Sequence, residues 1–166
     1  PNATPPNPNT STAQNPSHNF QQGTYNINLS ATSSNGCVKD TTITATFNLT
    51  PALAYPALTA ICQDLGAAPI SVASASVTNS VTGNGVYTGP GIVSPAGMFD
   101  PNAAGSGIHT ITYTFTSAAG CSSTITSTIE VYPQPGATFT ISPTGACLGQ
   151  QVTFTSTATV ASGNIT

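Results

Sequence analysis

The chain has 166 residues, and its formal charges are confined to Lys39, Asp40, Asp64, Asp100 and Glu130, a 3% charged fraction with a net charge of −3, against roughly a quarter for an average soluble domain. One lysine cannot neutralise a phosphate backbone, which excludes a nucleic-acid footprint, and the scattered acids form no acidic tail. With 38% apolar residues the chain is expected to fold, and no apolar run approaches the ~20 residues of a membrane-crossing helix.

Residues 1–22 are dominated by Pro, Asn, Thr, Ser and Gln without periodicity and predict a long loop, and the opening PNATPPNPNT has neither the basic nor the apolar part of a signal peptide. Tyr25, Ile27, Leu29 and Ala31 then alternate with Asn26, Asn28, Ser30 and Thr32, the period of a half-buried strand. SSNGC at 33–37 predicts a turn carrying an Asn-Gly signal, and Thr41, Ile43, Ala45 and Phe47 alternate with polar residues on the return. NLTPALAYP at 48–56 predicts a stiff linker. Strand candidates follow at Ile70 to Val77 and near Val86, then a Gly/Pro-dense turn, YTGPGIVSPAG, at 87–97. His109, Ile111, Tyr113 and Phe115 face inward on a further strand, SAAGC turns at 117–121, and Ile125, Ser127, Ile129 and Val131 return. YPQPGATF at 132–139 predicts a second linker, and FTISPTGACLGQQVTFTSTA after it predicts two more strands.

GTYNINLSATSSNGC at 23–37 is written again as GIHTITYTFTSAAGC at 107–121, with Gly23 on Gly107, Ile27 on Ile111, Ser33 on Ser117, Gly36 on Gly120 and Cys37 on Cys121, without a gap. The separation of 84 positions is too long for a solenoid unit and fits one small β-sandwich. The expectation is an all-β tandem array of sandwiches with boundaries near Pro51 and Pro133: the closing half of one domain at 1–50, a complete domain at 51–132, and the opening half of a third at 133–166. Neither half can bury its apolar face alone, Tyr25, Ile27, Leu29, Ile43 and Phe47 in the first and Phe139, Ile141, Val152 and Phe154 in the last. The partners expected are neighbouring domains of the same polypeptide or adjacent copies in a filament.

NPSHNFQQGTYNINLSATSSNGC resembles the second half of a PKD-type β-sandwich, FTISPTGACLGQQVTFTSTA resembles the first half of another, and GNGVYTGPGIVSPAGMFDPNAAGSGIHTITYTFTSAAGC is similar to the Ig-like domain that alternates with PKD domains in giant surface proteins of Bacteroidota, including gliding-motility adhesins. The Trp-x-Phe-Gly-Asp-Gly segment of PKD domains is missing, in keeping with the absence of Trp. The resemblance implies an extracellular, cell-surface location, type IX secretion directed from elsewhere in the full protein, and a structural role as a stalk or filament segment that is not an enzyme and uses no cofactor.

In that setting the cysteines suggest one disulfide per domain: Cys62 with Cys121, and Cys37 and Cys147 each with a partner outside this segment. No cysteine pair has zinc-ligand spacing. Tyr25, two residues after Gly23, matches a tyrosine corner. His109 stands at the equivalent position and is expected to be structural, as is His18, rather than a catalytic base served by Asp100 or Glu130. GNGVYTGPG precedes no helix and reads as turn chemistry. Sequons begin at Asn2, Asn9, Asn28, Asn48 and Asn164 by the chance of a Thr- and Asn-rich composition, whereas Asp40-Thr41-Thr42 resembles the Bacteroidota O-glycosylation signal, with Thr41 as acceptor. The alternative function is a carbohydrate-binding accessory module, for which Tyr55, Tyr87, Phe99 and Tyr132 are the aromatics whose strand parity leaves them free to form a platform.

Overall fold

A computed structural model describes residues 10–63 and 68–160; Asn2, Asn9, Asn164 and Asp64 lie outside the described residues. The first alternating segment forms β1 (Gly23–Thr32), paired antiparallel with β2 (Val38–Phe47). One face of this hairpin carries Tyr25, Ile27 and Leu29 opposite Ala45, Ile43 and Thr41. The other is a polar ladder, because the period of two sends every intervening residue there. The hydroxyls of Thr24 and Thr46 are 3.0 Å apart, Thr44 Oγ1 donates to Asn26 Oδ1 at 2.8 Å, and Asn28 Nδ2 donates to Thr42 Oγ1 at 3.0 Å.

Short strands follow: β3 (Leu53–Ala54), β4 (Ile61–Cys62), β5 (Ile70–Ser71), β6 (Ser76–Val77), β7 (Gly83–Thr88), β8 (Ile92–Ser94) and β9 (Met98–Phe99). One helical turn, α1 (Pro101–Ala104), leads into the long hairpin of β10 (Gly107–Ser117) and β11 (Ser122–Tyr132), and β12 (Phe139–Ser142) and β13 (Thr153–Ser156) pair at the end. Three sheets share residues 51–132: β4-β11-β10-β7, β3-β6 and β5-β9-β8. Every pairing among them is antiparallel except β4 with β11.

The core lies between these sheets. Tyr87, Ile111, Tyr113, Phe115, Ile129 and Val131 come from the four-stranded sheet and meet Val72 and Phe99 from the opposite side, with Leu53, Tyr55 and Val77 packed against them. Among the described residues, all the buried hydrophobic ones belong to 51–132. The flanking hairpins are largely uncovered: Leu29 and Ile43 are 64% and 61% exposed, and Phe139 and Phe154 are 66% and 69% exposed.

Three local expectations change. NLTPALAYP is no free linker, since Pro51 is buried, Leu53–Ala54 is β3, and Tyr55 packs on the core. The stretch from Ile70 to Val77 is broken into β5 and β6, because the chain leaves β9 to join β3. At that crossing the Val72 amide donates to the Gly97 carbonyl at 2.8 Å. The Gly/Pro-dense segment 87–97 contains β8. Helix α1 follows from Asp100-Pro101, in which the Asp100 carboxylate accepts from the Asn102 amide at 2.8 Å and Gly105 ends the turn at φ 78°.

Candidate functional site

Among the described residues no group of three or more His, Cys, Asp or Glu is gathered as a metal site would require, and no helix is long and apolar enough to cross a membrane. The features that can carry a role are the recurring hairpin, the path of the chain across the central unit, and the joint between the two.

The written repeat is a repeat in space. Every pair in the β1–β2 register, from Gly23↔Phe47 to Thr32↔Val38, recurs 84 positions later in β10–β11, from Gly107↔Val131 to Thr116↔Ser122. The turns agree bond for bond. Ser33 N donates to Cys37 O at 2.9 Å, Gly36 N to Ser33 O at 3.0 Å, and Cys37 N to Ser33 Oγ at 3.1 Å; the Ser117, Gly120 and Cys121 equivalents measure 2.8, 2.9 and 3.0 Å. Each loop closes on a left-handed glycine, Gly36 at φ 82° and Gly120 at φ 86°. The conformation needs glycine only there, which is why SAAGC builds the turn as well as SSNGC does.

The expected Cys62–Cys121 disulfide is corrected: both are free thiols, as are Cys37 and Cys147. Cys62 is the ladder neighbour of Tyr132 at the end of β11, whereas Cys121 precedes Ser122 at its start. Ten residues of strand separate those positions, about 33 Å, against the ~7 Å limit between Cα atoms for a disulfide. The cause is the parallel pairing of β4 with β11, which carries the opening cysteine to the far end of the closing strand.

His109 takes the part of a corner residue: its Nε2–H donates to the Gly105 carbonyl at 2.8 Å, tying β10 to the end of α1. His18 packs edge-on against Phe20 with centroids 4.6 Å apart, and Phe20 stacks on Phe47 at 4.2 Å beside Tyr25, closing the open end of the first hairpin. The aromatics expected to form a sugar platform are mostly interior. Phe99 is fully buried, Tyr87 is 6% exposed, and Tyr55 is half-buried. The Tyr87 hydroxyl accepts from the Ala75 amide at 3.1 Å, and the Tyr55 hydroxyl donates to the Val72 carbonyl at 3.2 Å. Burial raises both phenols, Tyr55 to about 12. Tyr132 alone of the four is on the surface, its hydroxyl donating to Glu130 Oε2 at 3.1 Å, a bond that raises its pKa. Thr41 is exposed, but it lies opposite Leu29 on the apolar face, while Thr42 belongs to the polar ladder.

The joint between the first hairpin and the central unit is set by Asn79, which sequence reasoning missed. Its Nδ2 donates to the Thr50 carbonyl at 2.9 Å and its Oδ1 accepts from the Ala52 amide at 3.1 Å, and the Thr78 amide donates to the Ala52 carbonyl at 2.8 Å. Ser80 follows at φ 56°, the one described non-glycine residue with positive φ. A shallow cleft of about 280 Å³ lies beside the joint, between Asn48 and Leu49 on one side and Val81, Thr82 and Ala118 on the other. The available signal was the turn-forming Asn-Ser pair between β6 and β7. No family model matches the chain, and no match is found among curated proteins.

Proposed function

We propose that the chain is a structural stalk or filament segment of a large extracellular adhesin or surface protein, built from tandem Ig-like and PKD-like sandwich units. The observation that carries this reading is the path of the chain across the central unit. The Pro51 carbonyl accepts from Ser123 Oγ at 2.7 Å near the start of β11, the Pro56 carbonyl accepts from Ser127 Oγ at 3.0 Å, and Cys62 sits beside Tyr132 at the end of β11. The chain therefore comes in at one end of β11 and leaves at the other, about 30 Å away. Units joined in this way extend end to end.

Tension along that axis loads the β4–β11 ladder in shear, because the two parallel strands are drawn from opposite ends. The evenly spaced, slanted bonds of a parallel pair then bear the load together. Asn79 stiffens the joint, in line with a spacer that limits bending. Without a disulfide, nothing covalent limits the extension of the unit once it opens.

The strand order supports the Ig-like part of the reading. Taken as A to G in chain order, β3 gives A, β5 and β6 are two pieces of B, β9 and β8 give E and D, and β7, β10 and β11 give C, F and G, with β4 as an added edge beside G. A surface almost free of charge, whose hydroxyl and amide groups bond across strands, suits a long-lived exterior spacer. The test is single-molecule pulling on the termini of the chain. The reading expects one cooperative force peak that releases roughly 260 Å, the extended length of residues 51–132 at about 3.5 Å each less the ~30 Å that already separates the ends of the folded unit. Smooth extension without a peak would contradict a load-bearing role.

A further inference from the structure

We propose that the apolar face of β1–β2 is a docking surface for the β12–β13 pair of a second copy of this chain, so that copies join head to tail. The inference rests on the repeat geometry and stands apart from the stalk reading. The central unit supplies the precedent. There β10–β11, which matches β1–β2 pair for pair, is covered in part by the antiparallel pair β3–β6, whose Leu53 and Val77 pack on the core that contains Ile111 and Ile129, beside Val72 and Phe99.

The β12–β13 pair is the counterpart of β3–β6. It is also antiparallel and opens a unit; Pro135 falls 84 positions after Pro51, and Cys147 stands ahead of β13 as Cys62 stands ahead of β6. Its apolar face gathers Phe139, Ile141 and Phe154 and is uncovered. Ala146 and Cys147, the counterparts of Ile61 and Cys62 in β4, lie outside any strand. In the central unit that segment is a strand because β11 runs beside it; β2, the match of β11, is the strand Ala146 and Cys147 lack. The two faces are therefore incomplete in complementary ways.

Distance separates the two faces within one copy. The two hairpins of one chain leave the central unit at opposite ends of β11, about 30 Å apart, so neither folds back on the other. Charge does not oppose the contact, since Lys39 and Asp40 are the only charged residues in the four strands. A surface joined to a different surface is a heterologous contact, which propagates.

The precedent also fixes the register of the contact. Tyr132 lies beside Cys62, so Asn48, 84 positions before Tyr132, belongs beside Cys147 of the other copy. Cys37, the match of Cys121, belongs at the far end, about 33 Å from it. Sedimentation velocity of the unsubstituted chain is expected to show mass rising with concentration beyond one copy. Ile43→Lys and Phe154→Lys should each give monomers at every concentration, and an equimolar mixture of the two should recover a dimer and nothing larger, because each variant keeps the face that the other has lost. In a chain carrying Asn48→Cys with Cys37, Cys62 and Cys121 changed to Ser, mild oxidation should yield a ladder of multimers linked between positions 48 and 147. Circular dichroism keeps the result interpretable by checking that the central unit is folded in each variant. A monomer at all concentrations, association that survives both lysine variants, or cross-linking between Cys37 and Cys147 in the unsubstituted chain would overturn the proposal.

Discussion

Replacing Phe99 by Ala separates an interior ring from a surface platform. Phe99 is fully buried and sits in β9, the centre of β5-β9-β8, where it pairs with Ile70 on one side and Ile92 on the other. Gly91 approaches so closely that a Cβ there would fall 2.8 Å from the Phe99 ring. Neighbours held by ladders on both sides cannot collapse into the space left behind, which sets the loss in the upper part of the ~3–5 kcal/mol range for Phe→Ala. A unit the size of residues 51–132 has about 4–12 kcal/mol of total stability, so the variant should lie near the edge of folding. At ~4–8 °C per kcal/mol, its melting temperature should fall by at least ~15 °C. Thermal unfolding followed by circular dichroism measures it, with Tyr132→Ala, an exposed ring, as the reference that should change stability by less than ~0.5 kcal/mol. A Phe99→Ala loss below about 1 kcal/mol would refute the packing argument and return Phe99 to the surface.

Asn79→Ala removes two hydrogen bonds to the 50–52 segment and should cost about 1–2 kcal/mol, with faster amide exchange at Ala52; exchange unchanged there would remove Asn79 from the joint. The Tyr55 phenol is held neutral by burial, with its pKa raised from 10.0 to about 12, so its contribution to stability is complete below pH 10 and is lost as pH rises towards 12. Melting temperatures across that interval should decline less in Tyr55→Phe than in the unsubstituted chain, and equal decline would show that the phenol is not the cause. Thiol mapping under non-reducing conditions should find Cys62 and Cys121 unlinked, with Cys37, Cys62 and Cys147 alkylating faster than the half-buried Cys121. A Cys62–Cys121 bond would require β4 to abandon its register on β11.

The long hairpins were legible in the sequence because they are regular. Alternation over ten residues fixes which face is apolar, and the 84-position repeat carries the register along with it. The opening strands were not, since β3, β5 and β6 are two residues long and exist by virtue of the sheet they join. A proline-rich segment reads as a linker until β6 arrives beside it. Tyr87 and Phe99 were misread for a related reason: strand parity assigns a face only when the strand's neighbours are known, and β9 is too short to show a period. The cysteine pairing failed on direction, because symmetric positions in sequence suggest proximity, and the parallel run of β4 along β11 places them at opposite ends. Asn79 left no periodic trace, since its role is to hold two backbone groups of a segment 27 residues away.

The central claim is that one self-contained unit at 51–132 is flanked by two hairpins whose apolar faces await partners. Amide hydrogen exchange of the dilute, monomeric chain tests it most directly. The interior of β10 and β11, from Ile111 to Phe115 and from Ile129 to Val131, should exchange only through global unfolding. Amides of β1–β2 and β12–β13 should exchange orders of magnitude faster, as lone two-stranded sheets do. Protection in Ile27 or Phe154 equal to that in Ile111, with the chain still monomeric, would contradict the claim.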